Sequence, residues 1–194
     1  MTTTPDPAAA ARPLAGARAA QLLAARLPAA VVRREEGHGE ETVVIHRAHV
    51  VEACALLRDD PDGLYTLPVF VTAVDWPDRE PAAPRYDVVY QFRSLHHNDV
   101  CRLVVQVPED DPTVPTLEGE FCGMDWHERE CYDLLGIVFE GHHDLRRILL
   151  PDDWEGHPLR KDYVSFGEPV AFTHNIEWAL PAAERPPGMP GSSR

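Results

Sequence analysis

Lysine is nearly missing from this chain. Lys161 is the only one, so arginine makes up the other 17 of the 18 basic residues. With abundant alanine and proline, this reads as the coding bias of a high-GC genome, and arginine richness alone says little about function. Basic residues are also few beside the 32 acidic ones, leaving a net charge of −14. A nucleic-acid surface is not expected, because neutralising phosphates needs a basic face. Direct adhesion to anionic lipid heads is excluded on the same ground. No run of 18 or more apolar residues occurs, so no segment reads as a membrane-spanning helix. Arg12, Pro13, Arg18 and Arg26 break up the early alanine-rich stretch, and a secretory leader needs an uninterrupted apolar core. The expectation is a protein that stays in the cytoplasm.

Close-spaced metal ligands are missing too. Cys54, Cys101, Cys122 and Cys131 form no C-x-x-C pair, the usual mark of an iron–sulfur or structural zinc site. The nearest set is Cys122, His127 and Cys131, with the last two at i, i+4 on a helix but no fourth ligand; it reads as small buried thiols beside a surface histidine. His127 begins an H-E-x-x-H pattern that fails at residue 131, which is cysteine. Glu128 and Glu130 stand two apart, so a helix points them in different directions and they share no acid–base task. They read as a solvated helix face. No G-x-x-x-x-G-K-[ST], G-x-G-x-x-G or G-x-S-x-G motif appears. His142, His143 and His157 could meet only if the chain folds back, and they read as hydrogen-bonding or interface residues. No catalytic residue, cofactor site or bound metal is expected.

What is present reads as an α+β domain. Residues 14–26 and 48–58 carry apolar residues at helical spacing, ended by Pro28 and by the Asp60-Pro61-Asp62-Gly63 turn. Residues 31–35 and 41–46 flank Gly37-His38-Gly39 as a hairpin. Three strands are expected at 67–76, 85–94 and 99–108. In the second, Tyr86, Val88, Tyr90 and Phe92 alternate with Asp87, Gln91 and Arg93, so one face packs and the other is wet. The last two should pair through the short 94–98 connection. After a loop at 109–116, residues 117–136 read as a helix with Phe121, Met124, Trp126 and Tyr132 in its apolar stripe, closed by Gly136 and a short extended IVFE.

The stretch from 142 to 163, HHDLRRILLPDDWEGHPLRKDY, keeps no period, yet it is too rich in aromatic and aliphatic residues for a disordered linker. Read by itself, an ordered but aperiodic segment must find partners for its backbone on another surface. Leu145, Ile148, Leu149, Trp154 and Leu159 would be its apolar anchors, and Arg146, Arg147 and Arg160 its forked donors. The expected division is a domain at 1–140 and an extended docking tail at 141–194.

ERECYDLLGI, then HDLRRIL, then WEGHPLRKDY resemble, in order and spacing, the C-subunit family of bacterial NADH:quinone oxidoreductase, the 30 kDa component of respiratory complex I. TAVDW and GMDWHERE extend the resemblance over most of residues 65–165. The chain differs from the family's usual pattern at His143, at Leu150-Pro151 and at Val164. The resemblance implies a small α+β fold with an antiparallel or mixed sheet and a long C-terminal extension lying across the 49 kDa-type D subunit, near the B and I subunits. It implies no cofactor in this chain, with NADH, FMN, iron–sulfur clusters and quinone handled by other components of the complex. It implies a peripheral protein at the cytoplasmic face of the bacterial cell membrane, attached through the complex alone. The interface residues it implies are Glu128, Arg129, Glu130, Asp133, His142, Leu145, Arg146, Arg147, Trp154, Gly156, His157, Pro158, Leu159, Arg160, Lys161, Asp162 and Tyr163. Alternatives are the equivalent component of an F420H2 dehydrogenase or membrane-bound hydrogenase, and a free-standing metal-dependent hydrolase using His127, Cys131 and nearby histidines.

Overall fold

The computed structural model describes residues 14–80 and 83–163. The first part of the alanine-rich stretch and the part of the expected tail beyond Tyr163 lie outside them.

Helix α1 (Ala17–Arg26) is built from alanine and leucine, which lose little rotamer freedom in a helix, and it buries Ala19, Ala20, Leu22 and Leu23. It starts after Gly16, at φ 85°, where a Cβ would lie 2.5 Å from the Glu41 carbonyl oxygen. Only glycine fits that approach. β1 (Val31–Gly37) and β2 (Glu40–Ile45) form the expected hairpin. Its turn residues His38 and Gly39 both have positive φ, which suits the twist of paired strands. Helix α2 (Val50–Asp59) buries Val50, Ala53, Cys54 and Leu57, an i, i+3, i+4, i+7 stripe.

β3 (Leu67–Asp75), β4 (Tyr86–Ser94) and β5 (Asp99–Val107) form an antiparallel meander. β5 also pairs in parallel with β2, so the sheet is mixed, in the order β1-β2-β5-β4-β3. Tyr86, Val88, Tyr90 and Phe92 join Val43, Ile45, Leu103 and Val105 in one core with the helices. The other residues of β4 and β5 pair with each other: Gln106 donates to Asp87 (2.9 Å) and Arg102 to Gln91 (3.2 Å). This cross-strand cover leaves Gln91, expected to be wet, only 8% exposed.

Two expectations change in the last third. Helix α3 (Asp125–Leu135) is shorter than the 117–136 reading, and Trp126 is 68% exposed rather than packed. The loop at 109–116 holds β6 (Thr113–Pro115), which pairs in parallel with β7 (Val138–Glu140) across α3. Three-residue strands have too little pattern to be read, because their pairing is supplied 25 residues away.

Candidate docking segment

An α-helix leaves its last four carbonyls without partners inside the helix. In α3 these belong to Tyr132, Asp133, Leu134 and Leu135. Gly136 N donates to Tyr132 O (2.9 Å), and Leu159 N to Leu134 O (3.0 Å). His157 Nδ1 bonds Asp133 O (2.9 Å), which also accepts from Arg147 Nη1 (3.2 Å). Arg160 Nε donates to Leu135 O (2.7 Å). The sequence G-H-P-L-R is therefore a helix cap delivered from more than twenty residues downstream, and its two arginines add positive charge at the negative end of the helix dipole.

Asp133 holds the other side of the segment. Its carboxylate has no exposed surface; Oδ1 accepts from Arg147 Nη1 (2.7 Å), and Oδ2 from the amides of Ile148 (3.1 Å), Leu149 (2.8 Å) and Leu150 (2.9 Å). Burial pushes its pKa upward, but the Leu150 amide, the Arg147 guanidinium and the other two amides outweigh that and hold it below the ordinary value. Arg147 also donates to the carbonyls of Trp154 (2.9 Å) and Gly156 (3.1 Å). Arg129 reaches the Arg146 and Arg147 carbonyls at 3.2 and 3.3 Å.

The segment ends on the sheet. Lys161 N donates to Asp75 Oδ2 (2.8 Å), and Asp75 takes both forks of Arg85 (2.7 and 2.9 Å). Arg85 also meets Asp162 at 2.8 Å, and its guanidinium with that of Arg160 lies over the Tyr86 ring. The Tyr163 ring packs on Gly156, whose φ of 81° admits no ordinary side chain.

These contacts correct the expectation that residues 141–163 need another chain to satisfy their backbone. The domain itself supplies the acceptors, from a helix end and a buried carboxylate that only the tertiary fold brings to the segment. Glu128 is corrected as well: it lies buried, not on a solvated face, with Oε1 accepting from Leu117 N (2.7 Å) and Oε2 from the Thr116 hydroxyl. Burial raises its pKa. Glu128, Asp133, Arg147, His157 and Arg160 thus act on this chain's own loops. Leu145 packs against the core, and Trp154 and Pro158 are half-buried. Facing outward are Glu130, Lys161, Leu149 (63% exposed), Leu159 (54%) and Arg146, which is paired with Asp144.

The weighed metal set does not assemble. Cys122 is exposed, whereas Cys131 is buried with its thiol donating to Val71 O, and burial pushes that thiol well up. His142, His143 and His157 also separate, the first two lying beside Glu118.

His157 and His143 titrate with opposite sign. Burial lowers the His157 pKa, so its contribution is present above about pH 6.5 and fades as pH falls through its depressed folded value. The Glu118 contact raises that of His143, so its contribution is present below about pH 6.5 and fades as pH rises through the folded value. Melting temperature measured against pH should show His157→Gln flattening the acid limb and His143→Gln flattening the alkaline one. Unchanged profiles in both variants would refute these assignments.

Fold and site together define a small α+β domain whose ordered C-terminal segment caps its last long helix and offers aliphatic side chains outward. The family described as respiratory-chain NADH dehydrogenase, 30 Kd subunit, matches residues 43–169, and the chain belongs to it. The C subunit of NADH-quinone oxidoreductase from Mycolicibacterium gilvum (strain PYR-GCK) is 44% identical over 146 residues, 75% of this chain and 63% of that protein. The protein of the same name from Roseiflexus sp. (strain RS-1) is 42% identical over 153 residues, 79% of this chain and 86% of its own. Among solved structures, the trypsin-resistant fragment (1-134) of Nqo5 is 31% identical with a TM-score of 0.50, covering 58% of this chain and 89% of that one. One component of the membrane-bound sulfane sulfur reductase, an archaeal respiratory membrane complex, shares the fold at 22% identity and TM-score 0.59, covering 76% of this chain and 84% of its own. Among the described residues, no helix is long and apolar enough to cross a membrane.

Proposed function

We propose that this chain is a structural and assembly component of the peripheral arm of a proton-translocating NADH:quinone oxidoreductase, held at the cytoplasmic face of the membrane by its neighbours. It contributes no flavin, iron–sulfur cluster or quinone site; electron transfer from NADH to quinone belongs to other chains of the complex. The 49 kDa-type D subunit is the principal partner, with the B and I subunits alongside.

The observation that carries this reading is the exposure of Leu149 and Leu159 on a segment whose backbone is already anchored from the inside. A segment ordered before docking loses little conformational entropy when a partner arrives, so its apolar side chains act as preformed anchors. Exposed charged groups around them, Arg146, Lys161 and Glu130, supply a polar rim. Two carboxylates buried as helix-end and loop anchors do not form a catalytic pair. The relatives named as NADH-quinone oxidoreductase components support the NADH:quinone assignment.

The test is the double variant Leu149→Asp, Leu159→Asp in the native complex. Truncating well-packed anchors costs about 2 kcal/mol or more at an interface, which is more than tenfold in occupancy. Assembled complex on native gels should fall more than tenfold, while NADH:quinone turnover per assembled complex and the melting temperature of the isolated chain stay near wild type. Full assembly, with or without loss of turnover, would overturn the docking role of this face.

A further inference from the structure

Glu118, in the turn between β6 and α3, and the His142-His143 pair just beyond β7 come together although they are 24 residues apart in sequence. Glu118 Oε1 lies 2.5 Å from His143 Nδ1, and Oε2 lies 3.8 Å from His142 Nδ1. The two imidazoles stack with centroids 5.3 Å apart and planes 13° from parallel. One donor atom from each of the three residues falls within 4.8 Å of the others.

The His142 ring is wholly buried, and two contacts set its tautomer. Nε2 lies 3.1 Å from Asp125 Oδ1, a buried oxygen with no hydrogen-bond partner of good geometry, and 3.4 Å from the Asp125 carbonyl. Asp144 N donates to Nδ1 (3.1 Å), which must therefore carry the lone pair. The proton sits on Nε2, toward Asp125, and the free nitrogen faces Glu118 and His143. A carboxylate behind an imidazole is the outer-shell arrangement that orients histidine ligands toward a metal.

We propose that Glu118, His142 and His143 form a binding site for a borderline divalent cation of the zinc type, with Asp125 as the supporting carboxylate. Two imidazole nitrogens and one carboxylate oxygen suit zinc, whereas magnesium favours oxygen donors throughout. Tetrahedral ligands around zinc stand about 3.3 Å apart. His143 Nδ1 therefore moves outward from Glu118 and His142 Nδ1 inward. The His143 side chain is 63% exposed and free to make that adjustment. Binding replaces the hydrogen bond from Asp144 N. It leaves a fourth position for water or for a donor from a neighbouring chain, and it ties the turn before α3 to the start of the 141–163 segment. This site stands apart from the docking role and does not depend on it. No metal was expected from the sequence because close ligand spacing was the signal sought, and this set has none.

The test is calorimetric titration of the full chain with zinc chloride, and separately with magnesium chloride, together with melting curves. Saturable binding of zinc without magnesium binding is expected, with a zinc-dependent rise in melting temperature. His143→Ala and Glu118→Gln should weaken zinc binding at least tenfold and remove that rise, and Asp125→Asn should weaken it by about 10 to 100-fold. The control His96→Ala, His97→Ala, a histidine pair elsewhere on the surface, should bind as wild type does. His143→Ala alters an exposed side chain, so its melting curve without metal verifies the fold. No saturable zinc binding, or binding indifferent to both His143→Ala and Glu118→Gln, would show a hydrogen-bonded cluster only and overturn the site.

Discussion

Asp133→Ala should lower the unfolding free energy of the chain by about 3–5 kcal/mol, the usual consequence of removing one partner from a buried ion pair. The carboxylate is the only acceptor seen for the amides of Ile148, Leu149 and Leu150, and it neutralises Arg147, whose side chain is 15% exposed. Deleting it strands a buried cation and three donors together. Their individual penalties do not add, because all four bonds converge on one group. The loss should be read by urea unfolding, with trypsin cleavage at Arg146, Arg147 and Arg160 accelerating in parallel as the segment lifts. The pH dependence has a definite sign. The folded pKa lies below the unfolded value near 3.9, so this contribution is complete above about pH 4 and disappears as pH falls through the folded value. The gap between wild type and Asp133→Ala should close over that acid range. A loss under about 1 kcal/mol at neutral pH, the size of one ordinary hydrogen bond, would mean that the segment is anchored elsewhere.

Gly136→Ala should cost about 2–4 kcal/mol from two sources. Its φ of 76° is left-handed, which costs an ordinary residue roughly 1–2 kcal/mol. The added Cβ would also fall 2.3 Å from Arg160 Nη2 and 2.6 Å from His157 Cδ2. Neither neighbour yields freely, since Arg160 is bound to Leu135 O and His157 to Asp133 O. Displacing them uncaps α3, at about 1 kcal/mol for each hydrogen bond lost. Gly136→Asn separates the two causes: asparagine tolerates the left-handed conformation but still carries a Cβ. If the clash dominates, Asn and Ala will be equally damaging in thermal unfolding. Near-complete rescue by Asn would leave only backbone strain and would remove Gly136 from the docking of the segment.

The sequence alone was enough to place the α2 stripe, the β1–β2 hairpin and the β4–β5 pairing, because periodicity and turn chemistry act within windows of ten or so residues. The family was legible in it as well, since ERECYDLLGI and WEGHPLRKDY keep their order and spacing. The tertiary structure decided what those motifs do. Asp133 reads as one more acid on a helix until residues 147–150 arrive to surround it, and Gly136 reads as a simple helix stop until His157 and Arg160 pack against it. Glu128 became buried because Thr116 and Leu117 close over it, and Glu118 met the histidine pair through the β6–β7 pairing. Each outcome depends on donors and acceptors brought together from 11 to 25 residues apart. A helix end advertises unpaired carbonyls to any segment that can reach it, and only the folded chain selects which one does.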